Sequence, residues 1–161
     1  VSFMAAVSDK KVNKLVHPAT LDSIMIPWPA IKNKGSPVLC WPNSALIKKI
    51  FQKSCNVVEF VKYAEFEKYL IAQAILSPIL QMLEATADWL AENSTKKEQV
   101  DEFLRSLVAT TLLSQNISQG ITGLSTKDGL NERLRIYMDE KGLFKELIGG
   151  LQTLYNSQKK Q

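Results

Sequence analysis

YLIAQAILSPILQML, residues 69–83, and SLVATTLLSQNISQGITGLST, residues 106–126, carry no charged side chain, and their reading decides the fold. They belong to two long helical runs that together span Glu65 to Gln119 and are joined at Asn93-Ser94-Thr95, the second uncharged segment continuing past them to Thr126. A helix on a protein surface shows an apolar stripe with charges opposite, and these two segments lack the charged side. They need cover on most faces, more than a short chain easily supplies. A second copy of the same helices supplies it, so a homodimer through the helical part is expected. A membrane is the rival cover, but a spanning helix takes about 20 predominantly apolar residues. The first run is shorter and holds Gln73, Ser77, Pro78 and Gln81, while the second holds Gln115, Asn116, Ser118 and Gln119. No membrane partner is expected.

Composition agrees with a soluble protein. The chain has 161 residues, 45% hydrophobic and 22% charged, with a net charge of +4, enough for one or two small domains with a real core. Its lysines are scattered, as Lys10-Lys11, Lys48-Lys49, Lys96-Lys97 and Lys159-Lys160. A nucleic-acid surface gathers them on one face, and no nucleic-acid partner is expected. Cys40 and Cys55 stand apart, and His17 is the single histidine. That leaves no raw material for a zinc site or a Cys-His nucleophile pair, so no metal is expected. The apolar start VSFMAAV precedes its positive charges, unlike a signal peptide, and a cytoplasmic location is the default.

Taken in order, Val1–Val7 reads as a buried strand of the near-continuous apolar kind found in parallel sheets. A short helix over Lys10–Val16 and a strand over Leu21–Ile26 follow. The prolines and glycine of PWPAIKNKGSP exclude regular structure and predict a shaped loop. Ser36–Trp41 reads as extended, and Asn43 as the N-cap of a helix over Ser44–Ser54 with Leu46, Ile47, Ile50 and Phe51 inward. Asn56–Phe60 is another strand. Alternating strands and helices make half of an α/β sheet, and the strand signal ends near Lys62–Glu65.

Beyond that point everything reads as helix. Ser77-Pro78 bends the first long run. Thr95 and Glu98 form a capping box for the second, whose apolar positions run from Val100 and Phe103 to Leu112. Gly120–Gly129 is a break. Asp128 caps a third helix over Leu130–Lys141, with Leu134, Tyr137 and Met138 on one face, and Gly142 stops it. A last helix runs from Leu143 to about Ser157 with Leu147, Ile148, Leu151, Leu154 and Tyr155 inward, Gly149-Gly150 allowing a neighbour close, and Lys159-Lys160 at its dipole end.

Five pieces in this order, VSFMAAVS, IPWPAIKNKGSPVLCWPNSALIKKIF, AEFEKYLIAQAILSP, ADWLAEN and STKDGLNERLRIYMDEKGLFKEL, carry a family resemblance. The chain resembles the C-terminal two thirds of the pyrroline-5-carboxylate reductase family, in a divergent branch. What that implies is an α/β part followed by an all-α part. Residues 1–62 would be the C-terminal part of a Rossmann-type nucleotide-binding domain, and residues 63–161 an all-helical dimerisation and substrate domain. The implied activity is hydride transfer to a cyclic imine from the reduced form of the cofactor NADP or NAD, the protein mainly positioning cofactor and substrate.

Residue by residue, the resemblance puts Ala5-Ala6 at the strand-end turn near the nicotinamide, and Pro27 with Trp28 in the loop after the next strand. Ser77-Pro78 match a glycine-proline of the first long helix. Thr126, Lys127, Asp128, Gly129, Leu130 and Asn131 match the turn that holds the substrate carboxylate with backbone N–H groups at a helix start, Asn131 taking the catalytic position. Here Lys127-Asp128 stand for the family's proline-glycine, Leu130-Asn131 for its paired threonines, and Trp28 stands at or beside an asparagine. The GxGxxG turn with a later acidic residue that dinucleotide binding needs does not occur in this sequence. The expectation is therefore a piece of a longer reductase, with no cofactor bound to the piece alone.

Blander readings stand beside these. Asp128 and Asn131 are ordinary helix-start residues, Trp28 and Trp41 suit a proline-rich loop folded on a sheet as well as a ring-binding pocket, and His17 suits a surface loop. Trp89 and Leu90 read as core. A helical dimerisation module without catalysis is the rival function.

Overall fold

The computed structural model describes residues 1–4, 7, 9–92 and 97–158, with the backbone alone for Lys97 and Glu98. Two compact units divide the chain, Val1–Ala72 and Gln73–Gln161. The expected Thr95–Glu98 capping box and the Lys159-Lys160 pair lie outside the described residues.

The first unit is built on β2 (Ser36–Trp41), a strand buried on both faces. It pairs antiparallel with β1 (Ile24–Pro27) and parallel with β3 (Cys55–Glu59), in the order β1-β2-β3. Side chains alternate along a strand, so Val38 and Cys40 share one face with Met25, Cys55 and Ile47 of α2 (Ala45–Phe51). Leu39 meets Ile24, Phe60 and Phe66 of α3 (Tyr63–Ala72) on the other. A helix covers each face, as a strand apolar on both sides requires. The remaining helix, α1 (Asp9–Val16), buries Val12.

Several local expectations change here. Val1–Val7 forms no strand among its described residues. Ser2 makes an isolated parallel bridge to Ile24, and Phe3 and Met4 are exposed, because an apolar run says nothing of whether a neighbour lies beside it. The proline-rich loop contains one turn of 3-10 helix, Pro29–Lys32, since proline suits the first helical position. Ser44, one residue past Asn43, caps α2 by accepting the Ile47 N–H at 3.2 Å. Its hydroxyl donates to the Asp22 carboxylate. Leu46 and Ile50 of that helix are exposed. Helical structure begins at Tyr63, inside the expected Lys62–Glu65 window, but α3 packs with the sheet through Phe66, so the units divide after Ala72.

The second unit opens with a 3-10 turn, Gln73–Ile75, then α4 (Leu76–Ala91), α5 (Lys97–Ser114), α6 (Ile117–Gly123), α7 (Leu130–Glu140) and α8 (Leu143–Gln158). The irregular turn sits just ahead of Pro78, whose missing N–H and bulky ring disturb the preceding turn. Where a bend was expected at Ser77-Pro78, the run is interrupted by this turn at Gln73–Ile75. The run Ser106–Thr126 is not one helix, because Asn116 accepts the Gln119 N–H at 3.0 Å and starts α6 afresh. Much of the expected Gly120–Gly129 break is therefore helical.

Among the described residues, Val100 and Leu104 are the buried apolar side chains of this unit, and α4, α7 and α8 bury none. Leu80, Trp89, Phe103, Leu113, Leu134, Tyr137, Ile148 and Leu154 are exposed. Charge-free helices are here wet within a single copy. Tyr63–Ala91 is, by length and composition alone, long and apolar enough to cross a membrane, because apolar residues flank the charge-free core on which the shorter sequence estimate rested. Phe66 and Ile71 near its start are nonetheless buried in the first unit.

Candidate functional site

The turn between α6 and α7 gathers Thr126, Lys127, Asp128, Gly129, Leu130 and Asn131 in one place. The Thr126 carbonyl accepts the Gly129 N–H at 2.8 Å and closes it. Asp128 occupies the left-handed region with φ 61°, which asparagine and aspartate tolerate better than other side chains. A Cβ at Gly129 would stand 2.8 Å from the Thr126 carbonyl oxygen, so only glycine fits there.

The expected capping role of Asp128 is corrected. Gly129 is the N-cap of α7 and no side chain caps it. With Asp128 held at positive φ, its own N–H turns outward and donates to Glu132 Oε2 at 2.9 Å. Glu132 is the third helical residue, the position from which glutamate reaches back in a capping box. The signal is visible in the sequence, where Glu132 stands three residues after Gly129. Nearby, Ser125 Oγ donates to the Ile121 carbonyl at 2.7 Å and accepts from Arg135 Nη2 at 3.4 Å. Lys127 and Asn131 are exposed, and Leu130 is 83% exposed.

The residues expected on the nucleotide side belong to the other unit. Pro27 ends β1 opposite Val38. Trp28 follows it, half-buried against the cluster of Ile24, Leu39, Phe60 and Phe66. Ala5 and Ala6 are outside the described residues. Trp41 is occupied in packing, with its ring edge-on to Tyr63 at 4.7 Å and its Nε1–H donating to the Val61 carbonyl at 3.3 Å. Burial pushes the Cys40 thiol above its ordinary value, with the Glu59 charge adding to the rise and a Ser23 hydrogen bond opposing it. The Tyr63 phenol is raised too, first by burial and then by Glu67 and Asp9. No cluster of metal-ligating side chains occurs among the described residues.

The sequence matches no family model and no curated protein. Solved structures do match. The crystal structure of Plasmodium falciparum pyrroline carboxylate reductase with NADP bound aligns over 98% of this chain with a TM-score of 0.77 and 10% identity. A pyrroline-5-carboxylate reductase from Coxiella burnetii aligns over 96% with a TM-score of 0.71 and 15% identity. The chain has the fold of a pyrroline-5-carboxylate reductase C-terminal region. It spans 68% and 62% of those two proteins. The expected order, part of a Rossmann-type sheet followed by an all-helical part, is borne out.

Trp28, just past the end of β1, packs half-buried against the sheet cluster. The first unit's single glycine, Gly35, precedes β2, whereas a phosphate-binding turn follows a strand. The diphosphate of a dinucleotide therefore has no cradle among these residues.

Proposed function

We propose that this chain is the sheet-end and helical portion of a reductase that transfers hydride from NADPH or NADH to a cyclic imine, working as a homodimer. Alignment of nearly the whole chain with two pyrroline carboxylate reductases, one of them holding NADP, is the observation that carries this reading. Residues 1–62 contribute to the nucleotide side, with Ala5, Ala6, Pro27 and Trp28 near the nicotinamide. Residues 63–161 contribute the substrate turn, Thr126 to Leu130, with Asn131 as the catalytic side chain. Its amide can hold a ring nitrogen by a hydrogen bond while hydride reaches the adjacent carbon. A cytoplasmic location goes with this activity.

The homodimer rests on the second unit's exposed apolar helices. Monomers rarely leave more than a few hundred Å² of contiguous apolar surface in water, and α4, α7 and α8 bury no side chain of their own.

Two measurements test the reading. Protein made from the full reading frame that encodes this chain should consume NADPH when given a cyclic imine, and this chain alone should not. Light scattering should give twice the 18.1 kDa chain mass at micromolar concentration. A folded, full-length dimer inert toward every cyclic imine would favour the non-catalytic dimerisation module instead.

A further inference from the structure

We infer that the lysine-bearing end of the first unit docks on an anionic lipid bilayer, lying on its surface without crossing it. From residue 23 to residue 58 the chain carries five lysines and no acidic residue. All five are exposed. Lys48 is neutralised by Glu59 at 3.1 Å, whereas Lys32, Lys34, Lys49 and Lys53 make no ion pair among the described residues. These four are scattered in the sequence, but the fold gathers them. Gly35, at φ 85°, turns the loop that carries Lys32 and Lys34, and its N–H donates at 2.8 Å to the carbonyl of Ser54, the residue after Lys53. Ile31 and Phe51 pack against the same buried cluster, which sets the 3-10 turn and the end of α2 over one face of the sheet. Lys49 stands about one helical turn before Lys53.

What lies between the lysines decides the kind of anion. Leu46, Lys49 and Ile50 have the spacing that puts side chains on one face of a helix, with Lys53 just beyond its end. Leu46 and Ile50 are 50% and 56% exposed, while Ile47 is the side chain α2 buries. Lysines at a helix C-terminus complement its dipole, which accounts for Lys49 and Lys53 but not for Lys32, Lys34 or the two bare aliphatic side chains. The phosphates of a nucleic acid would pair with the lysines and give Leu46 and Ile50 nothing to touch. The boundary between headgroups and acyl chains meets both needs. Apolar side chains enter it, and lysine stems follow them while the ammonium groups stay at the phosphates. A lysine near an anionic bilayer strengthens binding about fivefold. With only two aliphatic side chains to insert, attachment rests chiefly on charge, so it is reversible and weakened by salt.

Co-sedimentation of the 161-residue chain with vesicles tests this, using phosphatidylcholine alone and its equal mixture with phosphatidylserine. Binding to the mixed vesicles at low salt is expected, and little to the neutral ones. The pair Lys32→Gln, Lys34→Gln and the pair Lys49→Gln, Lys53→Gln should each weaken binding about 25-fold, the share of two lysines. Ile50→Ser should weaken it about fivefold, and Lys14→Gln, outside the patch, should leave it unchanged. Every substitution falls at an exposed position, and unchanged circular dichroism verifies the fold.

Equal binding to neutral vesicles would put the attachment in the apolar helices of the second unit and overturn the inference. Failure to bind either vesicle would overturn it too, as would binding indifferent to the four lysines. Dependence on the lysines without any effect of Ile50→Ser, together with retention on duplex DNA, would give this surface to nucleic acid instead.

Discussion

The two units solve the problem of burial in opposite ways. In the first, β2 lies between α2 and α3, and Met25, Val38, Cys40, Ile47 and Phe66 are shut off from water within one copy. In the second, five helices also carry many apolar side chains, yet Val100 and Leu104 are the ones buried among the described residues. Geometry separates the units. A sheet gives each helix a broad face to lie on, whereas helices packed in pairs leave most of their circumference open. The first unit's stability should belong to the single chain, and the second's to an assembly.

The largest blow to that contrast should come from Phe66→Ala. The ring is 1% exposed and lies near Trp41, Phe60 and Tyr63, so removing it should cost about 3–5 kcal/mol. Urea unfolding followed by tryptophan fluorescence should show the loss equally at every protein concentration. A concentration-dependent loss would mean that the sheet unit too depends on a second copy.

Gly129→Ala should come next, at about 2 kcal/mol, since backbone at Thr126 must move to admit a methyl group. Thermal melting would measure it, and a neutral result would show that the turn before α7 adapts freely. Leu113→Glu, at an 87% exposed position near the end of α5, should weaken self-association about tenfold, or about 1.4 kcal/mol. Sedimentation equilibrium reads this directly, and unaltered association would remove that end of α5 from the interface.

The smallest effect is alkaline. The Cys40 thiol and the Tyr63 phenol titrate above their ordinary values in the folded chain. The unfolded chain therefore gives up these protons first as pH rises. Stability of the sheet unit is full below those ordinary values and is lost as pH climbs through the raised ones. Urea melts across the alkaline range should show the decline, and Cys40→Ser should remove the thiol's share of it.

Legibility in the sequence followed the range of the forces involved. Ser36–Trp41 and the stop at Gly142, with φ 79°, were readable because a few neighbouring residues decide them. The cap of α2 fell one residue from its expected place, since Asn43 and Ser44 are both good caps and only the chain path chooses. At the candidate site the six residues of the turn were found by motif, but which carboxylate occupies its donors was not. That depended on Asp128 adopting positive φ, which swings its N–H toward Glu132. Exposure of Leu46, Ile50 and Trp89 was illegible for a different reason. Helical spacing says which side chains share a face and stays silent on whether anything covers it.

The adjacent glycines of α8 carry a consequence of their own. A methyl group built on Gly149 or Gly150 meets nothing within 4 Å, and alanine is favoured over glycine in a helix by about 0.8–1.0 kcal/mol. In a solitary coil, then, either replacement should make the molecule hardier. Should alanine prove harmful instead, the two positions would act as feelers, registering through one added carbon the press of a neighbour against that ridge.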